Sequence, residues 1–320
     1  MSAPAQTRAY VALLLIVVLW ASYPAAIKLA LPDMPPLVMA ALRCGIAALF
    51  LVALLLRSGA DTTAALAPGA VRAFAILGIA GIFISTQGSY LAIFLSTASN
   101  IVLLQAASPV MIALGARFYL GERLHRLQWL GVAISASGVL LVITNGRLWS
   151  LRPGDVHVGD LINIFTLAGW SAYTVYSKRV LMTYTPAMLT TAAYVAGTLL
   201  IIPTAIVTLP LFPPPRFTSV TAWVVVVYQA IVGAIAHVYW SRAIQIVGPS
   251  RAAVFLNLQP VVGLILAALL VREQLGLWQL LGGACVLAGV ALTTQGQSSP
   301  TPRASHLRDR PRGADPDGPS

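Results

Sequence analysis

Residues 109–138 read PVMIALGARFYLGERLHRLQWLGVAISASG, and residues 260–289 read PVVGLILAALLVREQLGLWQLLGGACVLAG. Set one above the other, they pair Pro109 with Pro260, Glu122 with Glu273, Gln128 with Gln279, Gly131 with Gly282 and Gly138 with Gly289, all at an offset of 151. A fixed offset sustained through a block of this length marks one unit of chain that occurs twice. Nearer the start of each unit the offset is 150, which pairs Trp20 with Trp170, Tyr23 with Tyr173 and Lys28 with Lys178. The only two lysines of the chain are therefore repeat equivalents.

The material between these landmarks is apolar. Of 320 residues, 58% are hydrophobic and only 9% charged, with a mean hydropathy of +0.84. A soluble globular domain carries about 25% charged residues, so the expected class is an all-α integral membrane protein. The formal charge of +11 does not point to nucleic acid, because the arginines stand singly at the ends of apolar runs with no basic face interleaved with aromatics. Cys44 and Cys285 lie inside apolar runs without a partner at metal-ligand spacing, and both read as small buried hydrophobes. An N-terminal signal peptide is the competing reading of the first apolar run. That run continues to about Leu31 and has an internal copy, so it reads as a retained helix.

About 20 apolar residues span the ~30 Å hydrocarbon layer. Ten segments qualify: 10–30, 36–56, 71–93, 97–117, 126–144, 157–178, 186–209, 219–241, 248–271 and 275–295. The expected organisation is a cytoplasmic N-terminus (1–9), a first five-helix repeat (10–144), a connecting loop (145–156), a second five-helix repeat (157–296) and a disordered cytoplasmic tail (297–320) too poor in apolar side chains to fold. With the N-terminus inside, fourteen of the 20 Lys and Arg fall in inner loops and tails and four in outer loops, Lys28 and Arg43 belonging to helices. That bias predicts both termini in the cytoplasm. Five crossings per repeat is an odd number, so the second copy enters the membrane inverted. Inverted five-helix repeats around a midplane site are a recurrent plan of secondary transporters.

The run Leu19-Trp20-Ala21-Ser22-Tyr23 leading to Lys28, the Arg43 of Ala40-Ala41-Leu42-Arg43, and the paired blocks Pro109 with Gly121-Glu122-Arg123-Leu124 and Pro260 with Arg272-Glu273-Gln274-Leu275 resemble the EamA family of the drug/metabolite transporter superfamily, over residues 10–295. The resemblance implies a multi-pass exporter of amino acids or other small metabolites in the bacterial inner membrane. In one place the second repeat departs from the first: Ala193 stands near the position matching Arg43, so an arginine role is not duplicated.

Depth along the helices selects candidates for a binding site. Trp20 lies ten residues into the first segment, at ~15 Å, and Trp170 is similarly central, whereas membrane tryptophans ordinarily gather at the interfaces. Tyr23 and Tyr173 follow three residues later on the same faces. These four read either as walls of a central cavity or as bulky packing where the repeats meet. Tyr90, Gln105, Asn257 and Gln259 are further candidates for substrate binding, with Gln87, Tyr239 and His237 weaker ones. Pro109 and Pro260 fall midway along their segments and predict kinks with amides beside them. Lys28 and Lys178 lie ~27–30 Å into their helices, where they either snorkel to water or serve a gate or an entry site for anionic groups. Arg43 sits inside the membrane at a cost of ~2.5–3.5 kcal/mol, and a structural tie to Asp160 is expected. Gly131, Ser135 and Gly138 form a small-residue stripe, the mark of a close helix contact.

Several chemistries are excluded. Neither lysine follows a glycine, so no phosphate-cradling Gly-Lys-Ser/Thr loop exists for an ATP-driven pump. His125, His157, His237 and His306 are far apart, without the spacing of a hydrolase or metal pair, so no catalytic residue, metal or cofactor is expected. The remaining reading is a secondary transporter whose partners are a small-molecule substrate and the lipid bilayer. Efflux of a drug-like or sugar-like solute is the alternative within transport, and a non-transporting membrane scaffold or receptor the alternative outside it. No Asp or Glu lies midway through a helix, so proton coupling stays open between a facilitator, titration of Asp160 or His237, and a tyrosine and water relay.

Overall fold

The computed structural model describes residues 3–60, 62–121, 124–147 and 156–294, with the side chains of 3–6 and 64 outside that description. Glu122, Arg123, most of the connecting loop and the tail 297–320 lie outside the described residues. Every regular element among the described residues is a helix. Ten helical segments follow in order: α1 (Thr7–Ala30), α2 (Pro36–Arg57), α3 (Pro68–Phe94), α4 (Ala98–Tyr119), α5 (Arg126–Thr144), α6 (Val158–Val180), α7 (Pro186–Leu211), α8 (Val220–Val247), α9 (Pro249–Val271) and α10 (Leu277–Thr294). Nine of them are long and apolar enough to cross a membrane.

The sixth expected crossing is the one that differs. α6 has 23 residues, about 35 Å of helix, but Asp160, Asn163, Thr166, Ser171, Thr174 and Ser177 dilute its hydropathy. All six are buried against other helices, so the polar face of α6 meets protein.

The packing is reciprocal. α1 of the first repeat lies against α8 and α9 of the second, while α6 lies against α3 and α4 of the first. α5 and α10, which are equivalents, pack on each other most closely. A Cβ added at Gly131 would stand 2.5 Å from the Gly289 carbonyl oxygen, and one at Gly138 would stand 2.5 Å from that of Gly282. Only small residues allow two helix backbones so near, which is how membrane helices gain dispersion energy where lipid tails remove any hydrophobic drive. Gln128 Nε2 closes one end of this seam by donating to Thr293 O at 2.9 Å.

Four of the candidate membrane-spanning segments are interrupted along their length. α1 breaks at Ser22 and restarts at Tyr23, with Pro24 in its first turn. α4 breaks after Gln105 and restarts at Ser108, with Pro109 in its first turn. α9 passes through a 3-10 stretch, Val254–Leu258, before Gln259 and Pro260 begin the next helix. Proline suits each restart, because the first-turn N–H it lacks would have no helical acceptor. α3 instead widens into a π-helical stretch over Gly78–Gln87. A Cβ at Gly81 would overlap the ring of Tyr173, so the missing side chain lets α6 close on this stretch.

Candidate functional site

The interruptions converge on one cavity of about 130 Å³. Its wall takes Tyr23 and Pro24 from the restart of α1, Ser85 and Thr86 from the widened α3, Gln105 and Ser108 from α4, and Leu256 and Gln259 from α9. Irregular backbone at membrane depth leaves peptide groups without helical partners, and it persists only where protein or a wet cavity satisfies them. Its concentration here sets this spot apart from the rest of the bundle.

Aromatic rings build the middle of the site. Trp20 and Trp170, repeat equivalents, meet edge to face with ring centroids 5.4 Å apart, and both line the cavity. His237 packs 5.1 Å from Trp20 and 5.6 Å from Trp170, and also lines it. Tyr173 stacks on Trp170 at 5.4 Å with 20° between ring planes, one layer behind the wall, and Trp240 closes the cluster at 5.5 Å from Trp20. The indole N–H groups of Trp20 and Trp240 are buried without an acceptor.

A polar layer lies beside the rings. Arg43, 3% exposed, donates from Nε to the Gln229 carbonyl at 3.2 Å and from Nη2 to the Tyr194 hydroxyl at 3.3 Å, with its guanidinium 5.6 Å from the Tyr23 ring centroid. Tyr194 Oη stands 3.2 Å from His237 Nδ1, which also lies 2.8 Å from the Gly233 carbonyl. The Tyr90 hydroxyl donates to Gln229 Oε1. Gly233 makes room for the arginine, since a Cβ there would be 2.6 Å from Nη2 and 3.0 Å from the Tyr23 hydroxyl.

Of the residues singled out in the sequence, Trp20, Tyr23, Tyr90, Gln105, Trp170, Gln259 and Arg43 line this cavity together, with His237. Others do not. Asn257 is off the wall, its Oδ1 buried without a partner. Gln87 turns away and accepts from Thr204 on α7 at 3.4 Å. Tyr239 is 45% exposed on the outer surface of α8, because two residues along a helix from the inward His237 is a rotation of about 200°. Gln229, Tyr194, Ser85, Thr86, Ser89 and Thr166 were not foreseen. Tyr194 carried no repeat signal: the helix starts Pro36 and Pro186 keep the offset of 150, which pairs Arg43 with Ala193, and the tyrosine that meets the arginine is the next residue of α7.

The expected tie between Arg43 and Asp160 is absent. Asp160 is in the first turn of α6 and accepts from Ser96 Oγ and, at 3.0 Å, from Asn100 Nδ2. The same end of the bundle holds Lys28, whose Nζ donates to the Ser96 carbonyl, and Glu273, which accepts from Ala98 N at 2.9 Å and from Ser99 N at 2.8 Å. Asp160 thus belongs to a network about the start of α4, while Arg43 faces α7 and α8. Lys178, the equivalent of Lys28, makes only long contacts, 3.4 Å to Ile244 O and 3.5 Å to Gln245 O. A larger groove of about 680 Å³ between α2, α3 and α7 is walled by aliphatic side chains such as Val52, Leu56, Ile79 and Leu199 and brings no charged group.

Comparison with known proteins agrees with this architecture. The pattern of the EamA-like transporter family matches the chain twice, over residues 7–144 and 157–295. An uncharacterized transporter of Bacillus subtilis (strain 168), YyaM, is 28% identical over 260 residues, 80% of this chain and 83% of its own. A probable amino-acid metabolite efflux pump of Escherichia coli (strain K12) is 30% identical over 294 residues, 88% of this chain and 93% of its own. A solved crystal structure superposes with a TM-score of 0.63 at 22% identity, covering 92% of this chain and 98% of that one. The chain belongs to the EamA-like transporter family and is a multi-pass membrane transporter, not an enzyme.

Proposed function

We propose that this EamA-like transporter exports a small metabolite, an amino acid or a related compound, by alternating access through the cavity at Trp20 and Trp170. The observation that carries the reading is the cavity itself, where broken or widened segments from both repeats meet at membrane depth with aromatic and amide side chains between them.

Size favours a small substrate. A cavity of about 130 Å³ compares with the ~150 Å³ engineered cavity that admits benzene, and falls well below the ~300–1,000 Å³ of sites for drug-sized ligands. The name of the Escherichia coli relative, an amino-acid metabolite efflux pump, points the same way. In this reading α6 is the tenth crossing, because its polar residues are buried in the bundle and its length suffices. The two five-helix repeats, 10–144 and 157–296, are then inverted. In support, the equivalent helices α5 and α10 pack antiparallel, with Gly131 on Gly289 and Gly138 on Gly282. The charge bias of the loops supports an orientation with both termini in the cytoplasm of a bacterial inner membrane.

Flux into or out of proteoliposomes, screened over labelled amino acids and related metabolites with and without a pH gradient, tests this. Saturable flux of an amino-acid-like solute that the Trp20→Ala/Trp170→Ala variant loses is the expected result. Flux and substrate preference unchanged in that variant would refute the site. Saturable flux confined to larger drug-like or sugar-like solutes would refute the substrate class.

A further inference from the structure

The charges inside the protein do not balance at the cavity. Each acid among the described residues is engaged elsewhere: Asp33 with Ser219 at 2.7 Å and Arg216 at 3.4 Å, Asp160 with Ser96 and Asn100, and Glu273 with Ala98 and Ser99. None of them lines the cavity. Arg43 does line it, and the guanidinium is protonated at any working pH. Its partners are a backbone carbonyl, a tyrosine hydroxyl and a tyrosine ring, all neutral, and Nη1 donates to nothing among the described residues.

Burying an uncompensated charge costs several kcal/mol, and two neutral acceptors at 3.2 and 3.3 Å offset only part of that. A second, independent observation points to the same missing partner. Trp20, on the cavity wall and 91% buried, has an indole N–H with no acceptor. The wall thus offers hydrogen-bond donors and one fixed positive charge, but no carboxylate to receive a cation.

We propose that Arg43 is the binding residue for the anionic group of the substrate, a carboxylate, and that the transported compounds are small zwitterions or organic monoanions. This rests on the cavity being the transport route. A carboxylate matches the planar fork of the guanidinium and supplies the counter-charge that the fold withholds. The ammonium of a zwitterion meets the faces of Trp20 and Trp170, which attract cations weakly and without requiring one. Free amines and cationic solutes gain only that weak attraction and are repelled by Arg43.

The test is binding to the purified full-length chain, read as a thermal shift, so that it does not depend on flux. The probes are the free amino acids, the 2-oxo acid and the amide of each, the decarboxylated amines, and inorganic phosphate. Compounds that stabilise the wild type are expected to carry a carboxylate, with amides at least tenfold weaker and amines inactive. Arg43→Gln is expected to abolish the shift. Because that variant removes a buried side chain, Gly233→Ala provides a milder one: its methyl pushes the flexible end of Arg43 aside and keeps the charge, and a tenfold or greater loss of carboxylate affinity is expected. Amides or amines binding as well as the acids, phosphate binding in place of carboxylates, no shift with any carboxylate, or equal affinities in a folded Gly233→Ala variant would each overturn the proposal. If carboxylate recognition fails while Trp20→Ala/Trp170→Ala still abolishes flux, the transport reading survives and only the assignment of Arg43 falls.

Discussion

Replacing Gly131 with alanine is the sharpest probe of how this bundle is held together. The added Cβ would sit 2.5 Å from the Gly289 carbonyl oxygen, 2.6 Å from Thr293 Oγ1 and 2.7 Å from Thr293 N. Two of these three are backbone atoms of a neighbouring helix and cannot rotate away. An ordinary contact needs about 3.4 Å, so α5 and α10 must part by roughly 0.9 Å. A radial gap of that size forfeits a quarter to a half of the dispersion energy of the atoms along the seam. It would also carry the Gln128 Nε2 to Thr293 O bond beyond hydrogen-bonding distance from its present 2.9 Å. Overpacking typically costs about 1–3 kcal/mol, and an interhelical hydrogen bond in a membrane about 0.6 kcal/mol. A loss of about 2–3 kcal/mol corresponds to a fall in Tm of roughly 4–12 °C, taking ~2–4 °C per kcal/mol. The assay is thermal unfolding of the purified protein, with Gly45→Ala as the control. Gly45 is helical with nothing within 4 Å of an added Cβ, so alanine there is expected to be neutral or stabilising. A Gly131→Ala protein melting within about 1 °C of the wild type, or a Gly45→Ala protein destabilised as much, would refute the reasoning.

Three further expectations concern other parts of the molecule. Arg43→Gln and Asp160→Asn, which touch different networks, should combine additively in thermal stability to within ~0.5 kcal/mol, and a coupling above ~1 kcal/mol would mean they form a pair after all. Cysteines introduced at His125 and Gly276 should be labelled by an impermeant reagent from opposite sides of the membrane, and labelling from one side would defeat the inverted repeat. Arg216→Ala, which removes the Arg216–Asp33 pair with its arginine 74% exposed, should shift Tm by less than ~4 °C, because exposed ion pairs contribute at most about 1 kcal/mol.

Sequence and structure contributed unequally to these conclusions. The duplication, the membrane class and the central tryptophan pair of the cavity were legible in the chain, because a repeat whose copies pack on each other brings equivalent positions into contact. Trp20 meets Trp170 for that reason. The two proline positions 109 and 260 were legible too, as proline acts on its own backbone whatever surrounds it. The widened stretch at Gly78–Gln87 was not, since nothing local to those residues forbids a regular helix, and the break at Ser22 was missed although Pro24 gives the same kind of signal.

The direction in which each helix faces belonged to the tertiary structure alone. In water an apolar stripe reveals the buried face, but in a bilayer the lipid-facing and protein-facing sides are both apolar and the stripe disappears. Thus His237 and Tyr239 were equal candidates in the sequence, while packing put one in the cavity and the other on the outer surface of α8. The same ambiguity joined Arg43 to Asp160 on paper, two opposite charges in an apolar chain. The fold instead gave Asp160 its partners at the start of α4 and left Arg43 with neutral ones, and only the positions of α7 and α8 decided that.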